Sequence, residues 1–146
     1  MTRKEIFKEV NVNLFSPCSN EFLFDFIYLL GYTDKEINDK KIKEDVLSTL
    51  EILFNLKIIF IYKWFKESEL NDRDLSIGET IAHINRIWFK GATYPDFYNM
   101  VMFGSQKWYV DKLWDMGMSH TTNWKWFVEN KIGNLEKWIE ENRPKE

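Results

Sequence analysis

Cysteine is almost missing from this chain: Cys18 is the single one among 146 residues. Without a second thiol there is no internal disulfide and no multi-cysteine zinc cluster, and a chain of this size without bridges is expected in the cytoplasm. Histidine is scarce too, with only His83 and His120. His83 runs into Ile84-Asn85-Arg86-Ile87 with no second histidine one turn on, so no zinc-protease pattern exists and no metal ligand is expected. Long apolar runs are also lacking. The most apolar windows, residues 22–30 and 58–62, fall short of the roughly 20 residues a spanning helix needs. Met1-Thr2-Arg3-Lys4-Glu5 has no apolar stretch behind it of the secretory type. Neither a membrane span nor a signal segment is expected.

A surplus of positive charge is absent as well. Net charge is −3. Residues 1–33 hold three cations against four acids, 34–90 ten against eleven and 91–146 seven against eight, so each third carries −1. Nucleic-acid binders concentrate positive charge to neutralise phosphates, and that class is disfavoured here.

Motifs that carry chemistry do not assemble. Cys18, in Ser16-Pro17-Cys18-Ser19, reads as a small, partly buried hydrophobe rather than a nucleophile. Asp72-x-Asp74-x-Ser76 starts like a calcium loop, but the turn glycine is displaced to Gly78 and the twelfth position is His83 instead of glutamate. Asp111 and Asp115 stand one helical turn apart, yet Lys107 and Lys112 soften their repulsion and no low-dielectric pocket is signalled. There is no glycine-rich phosphate loop and no nucleophile elbow. No catalytic residue and no cofactor is assigned.

What the chain does hold is core material. Hydrophobic residues make up 45 % and aromatics 17 %, with 12 Phe, 7 Trp and 6 Tyr, ample for one domain spanning 1–146. The expected fold is mainly α, a compact bundle of about six helices with a short β element near residues 57–65. Residues 1–15 fit either a short helix or an irregular strand. Ser19 can cap a nearly buried helix over 20–30 that stops at Gly31. Thr33-Asp34-Lys35-Glu36 has the form of a capping box, leading to an apolar stripe of Ile42, Val46, Leu50, Leu53 and Phe54. Residues 57–65 are β-branched and aromatic and read as a strand in need of a partner, for which the N-terminal segment is one candidate.

Residues 67–75 read as a polar loop. Ser76 and Glu79 then form a second capping box for a helix with Ile77, Ile81, Ile84 and Trp88 on one stripe. Pro95 suits the first turn of a helix over 96–103, and Gly104-Ser105 breaks and recaps the chain for another over 106–116. Thr121 or Thr122 can open a last helical region, kinked at Gly133 and stopped by Pro144.

Two surface features stand out. Trp124 and Trp126 cannot share a helix face, so Trp126 is expected near the surface as an interface anchor. Between residues 67 and 79 five acids, Glu67, Glu69, Asp72, Asp74 and Glu79, face Arg73 alone, a local charge of −4 suited to steering a basic protein partner.

Three segments carry a resemblance: Glu79-Thr80-Ile81-Ala82-His83-Ile84-Asn85-Arg86-Ile87-Trp88, Asp96-Phe97-Tyr98-Asn99-Met100-Val101-Met102-Phe103 and Leu135-Glu136-Lys137-Trp138-Ile139-Glu140-Glu141-Asn142-Arg143-Pro144. Within residues 40–146, where a helix precedes an Ile-rich strand and a Trp-rich helical half, they resemble the small helical immunity proteins of bacterial contact-dependent growth-inhibition and related polymorphic toxin systems. The resemblance gives no residue a role. It implies a stoichiometric inhibitor that binds a cognate toxin domain, commonly a nuclease, and blocks its active site or access to substrate. The expected partner is thus a basic toxin domain rather than nucleic acid or membrane, with the oligomeric state open. The alternatives are a ligand-binding or regulatory helical module with an aromatic pocket, and an enzyme that gathers scattered acids around His83 or His120.

Overall fold

The computed structural model describes residues 1–18, 20–33 and 39–145. The chain is mainly helical with one small antiparallel sheet. In order, α1 (Arg3–Ile6) and a 3-10 segment (Glu9–Phe15) precede α2 (Leu23–Leu29), α3 (Lys40–Asn55) and β1 (Ile59–Trp64). A 3-10 turn (Ser68–Asp72) leads to α4 (Ile77–Ile87), α5 (Tyr94–Phe97) and β2 (Val101–Ser105). Then come α6 (Lys107–Asp115), α7 (Trp124–Phe127), a π-turn (Val128–Ile132) and α8 (Leu135–Asn142). Among the described residues, α1, α5 and α7 are single turns and five helices are longer, in keeping with a mainly α fold that carries a short β element. No described helix is long and apolar enough to cross a membrane.

The largest correction concerns the sheet. Residues 96–103 do not form one helix: the turn begun by Pro95 ends at Phe97, and Val101–Ser105 becomes the strand that pairs with β1 in place of the N-terminal segment. Val101 and Phe103 turn inward while Met102 stays half-exposed, the two-residue period of a half-buried strand. Helical spacing reads the same apolar residues as a stripe, and pairing decides between the two, because β1 has backbone groups to satisfy. The register pairs Ile59 with Ser105, Phe60 with Gly104, Ile61 with Phe103, Lys63 with Met102 and Trp64 with Val101, so Tyr62 is a bulge.

Capping explains most helix starts. The Ser76–Glu79 box is formed at α4, with the Ser76 hydroxyl accepting from the Glu79 N–H at 3.1 Å and the Glu79 carboxylate from the Ser76 N–H at 3.0 Å. At α2 the Asp25 carboxylate accepts the N–H groups of Glu21 and Phe22 at 3.1 and 2.9 Å. The expected Ser19 cap and the 33–36 box fall on positions 19 and 34–36, outside the described residues; α3 is capped by Asp39, which accepts the Lys41 N–H at 2.7 Å. The last helical region opens on Asn123 rather than Thr121 or Thr122, and it breaks at Gly133, whose φ of +83° ends the π-turn before Asn134 caps α8. The helix over 20–30 shortens to α2 and is less buried than expected, with Tyr28 exposed.

The core is aromatic and fastened by polar handles. Phe26 meets Phe103 edge-on at 5.5 Å, joining α2 to the inner face of the sheet. Tyr109, fully buried, donates its hydroxyl to the Phe15 carbonyl at 2.6 Å, and the Trp124 indole donates to Val12 at 2.8 Å, tying the N-terminal 3-10 segment to α6 and α7. The Lys43 ammonium donates to the carbonyls of Asn85 and Trp88, both at 2.9 Å, a cation at the C-terminal end of α4 that locks α3 against it.

Candidate protein-binding site

β2 is covered on its far side, where Phe22 bridges Met102 and the Phe103 N–H donates to the Glu21 carbonyl at 2.7 Å. That bond leads away from β1, so Ile61 and Phe103 form the non-hydrogen-bonded kind of antiparallel pair. The N–H and C=O of Ile61 therefore point to the other side of β1, where no third strand stands among the described residues. The edge is blunted at both ends: Asn71 brackets Trp64, accepting its N–H at 2.7 Å and donating to its carbonyl at 2.9 Å, and the Gln106 amide reaches the Ile59 carbonyl at 3.3 Å. The Tyr62 bulge further discourages strand addition.

Beside this edge runs a groove of about 720 Å³, with Phe60, Tyr62 and Lys63 on one wall and Leu70, Arg73 and Asp74 on the other. Asp74 is the member of the acidic stretch that lines it. The five acids differ in role. Glu67, in the left-handed region at φ +54°, receives two hydrogen bonds from the Arg86 guanidinium at 2.8 and 2.7 Å, and His83 Nδ1 lies 3.4 Å from the same carboxylate. Arg86 holds the Glu67 carboxyl below its ordinary range and is itself raised. Glu79 belongs to the α4 cap, and the Ser76 N–H holds its carboxyl low, with Arg73 at 4.0 Å adding to this. Glu69, Asp72 and Asp74 are exposed and make no ion pair within 4 Å among the described residues. The turn that presents them is anchored by buried Leu70, by Asn71 on Trp64 and by Glu67 on Arg86.

Trp126 is 50 % exposed while Trp124 is buried, but it lines neither this groove nor the one described next. A second groove, about 630 Å³, opens between the N-terminal segment and the π-turn; Phe7 and Phe15, stacked at 4.9 Å, and Val128 form part of its floor, and Lys8, Lys125 and Glu129 stand at its rim. Most other aromatics of the second half are core: Trp88, Tyr109 and Trp124 are buried, and Trp138 packs partly buried against Trp108.

The positions weighed for catalysis stay apart. His83 does sit beside a carboxylate, Glu67, but lines neither groove; Arg86 also contacts its ring nitrogen. His120 packs against Trp114, and Asp111 pairs with Lys107. Cys18 is exposed, not partly buried, because its Pro17 turn lies on the surface. Among the described residues no three His, Cys, Asp or Glu side chains are placed to share a metal ion.

Sequence reading missed Asn71 and Arg86, which position the acidic turn from a loop and from the next helix. It also missed Phe60 and Tyr62 as surface residues, although their alternation with Ile59 and Ile61 was a usable signal. Comparison with known proteins returns no matching family model, no matching curated protein and no matching solved structure.

Proposed function

We infer that this chain acts by binding, as an immunity protein that neutralises a cognate bacterial toxin domain by covering its active site or the path of its substrate. The observation that carries this reading is the anchored turn. Three carboxylates, Glu69, Asp72 and Asp74, stand in solvent on one turn, and Asp74 among them lines a groove edged by exposed Phe60 and Tyr62. Partnered groups hold the turn in shape, while the acids on it remain open to a basic partner. Glu67 and Glu79 support the turn and the helix behind it, and Trp126 adds an anchor elsewhere on the surface. The reading assigns no catalysis and no cofactor.

The test is protection in cells. Where a gene for a secreted protein with a variable toxin region neighbours the gene for this chain, that toxin region is expressed with and without it. Restored growth together with a one-to-one complex of the purified proteins supports the reading, and continued killing beside a folded chain refutes it.

A second reading, a ligand-binding module, is favoured by the groove floored by Phe7 and Phe15, whose volume falls within the range of small-molecule sites. A raised melting temperature with a nucleotide, sugar or lipid, lost on Phe7→Ala, supports it.

A further inference from the structure

Among the described residues no element packs over the outer face of β1. The register puts Phe60, Gly104, Met102 and Phe22 on one side, since directly paired residues share a face and Met102 and Gly104 are two apart on β2. Phe22 meets Tyr98 at 4.8 Å, Tyr98 meets Tyr94 at 5.1 Å and Tyr94 meets Phe24 at 4.0 Å, which extends the same surface onto α5 and α2. Of the nine large hydrophobics exposed among the described residues, six belong to this surface: Tyr28, Phe60, Tyr62, Phe65, Tyr94 and Tyr98. At about 200 Å² per ring, their exposed fractions amount to roughly 600 Å², the upper end of what a monomer leaves uncovered.

We propose that this face joins two copies of the chain in a two-fold dimer, aromatic surface against aromatic surface. Two observations select a second copy. The first is area: with the flanks of Phe22, Phe24 and Met102 added, the patch approaches the roughly 800 Å² per partner of a stable interface. The second is complementarity of its margins. Across the sheet the order is α2 and α5, then β2, β1 and the acidic turn, so a two-fold axis lying in the interface and parallel to the strands lays the acidic margin of each copy over the tyrosine margin of the other. One margin offers the carboxylates of Glu69, Asp72 and Asp74. The other offers the hydroxyls of Tyr28 and of the hydrogen-bonded pair Tyr94–Tyr98. A basic partner fits the aromatic face less well, because Lys63, paired with Met102, already lies on it with its ammonium over the Phe65 ring at 5.1 Å.

The inference is independent of the toxin reading and is measured with no partner present. One consequence links them: a basic domain on the acidic turn competes with dimerisation. Sedimentation equilibrium of the pure chain at micromolar to near-millimolar concentration is expected to give a monomer–dimer equilibrium. Tyr62→Lys, at an exposed position, weakens it at least tenfold with an unchanged circular dichroism spectrum, and Tyr98→Phe, which deletes one hydroxyl, weakens it severalfold. Trp126→Ser, off the face, leaves it unchanged. A monomer throughout this range, or a dimer indifferent to both Tyr62→Lys and Tyr98→Phe, overturns the proposal.

Discussion

Asn71 occupies the place of a neighbouring strand beside Trp64, one side-chain amide satisfying both backbone groups of a residue that is itself buried. Asn71→Ala leaves that N–H and C=O unpaired next to the core, at a cost of about 1–3 kcal/mol. Urea unfolding measures the loss, and hydrogen exchange at the Trp64 amide should quicken more than the global change explains. Asn71→Asp keeps the acceptor and loses the donor, so it should fall between the two.

Tyr109 ties α6 to the N-terminal segment through one hydrogen bond inside the core. Tyr109→Phe strands the Phe15 carbonyl and should cost about 1–3 kcal/mol in denaturant unfolding. Burial pushes the Tyr109 phenol well above its ordinary value. Its contribution is therefore complete below the unfolded phenol's range near about 10, and is lost as pH rises beyond it, since the unfolded chain gives up a proton that the folded one keeps. Tyr109→Phe should flatten the alkaline limb of the stability profile.

The Glu67–Arg86 pair works at the other end of the pH scale. Arg86 holds the Glu67 carboxyl low, so the stabilisation is present above the ordinary carboxylate range and fades as pH falls through the lowered value. Wild type should exceed Glu67→Gln in denaturant midpoint at neutral pH, and the gap should close in acid. An equal gap at both pH values contradicts the pairing.

Local signals rendered parts of this molecule legible. The Ser76–Glu79 box, the break at Gly133, the stripe of Ile42, Val46 and Leu50 on α3 and the exposure of Trp126 each depend on residues within a turn or two of one another. The sheet was half legible: residues 57–65 announced a strand, but its partner lies some forty residues on and mimicked a helix, because Met100, Val101 and Phe103 satisfy either period. The candidate site divides along the same line. Charge density found the acidic stretch, whereas the division into supporting acids, Glu67 and Glu79, and solvent-facing ones, Glu69, Asp72 and Asp74, depends on Arg86, Asn71 and Leu70, which tertiary structure alone brings to the turn.

Gly104 shows how closely the outer sheet face is fitted. A Cβ there would lie 2.8 Å from Phe60 Cε1 and 3.0 Å from Cζ, so Gly104→Ala must displace a ring that is partly exposed and free to swing outward. The expected loss is about 1 kcal/mol by thermal unfolding, and it should vanish in a Phe60→Ala background, the signature of a direct contact in a double-mutant cycle.

The central claim is that the anchored acidic turn receives a basic toxin domain, and stopped-flow association with the toxin identified by the protection assay tests it most directly. Reversing Glu69, Asp72 and Asp74 to Lys should slow association at least tenfold at low ionic strength and remove most of its salt dependence, while unfolding stability stays near wild type. Glu79→Lys should instead weaken the α4 cap and lower stability. Association of the triple variant at the wild-type rate, with the same dependence on salt, would contradict the account.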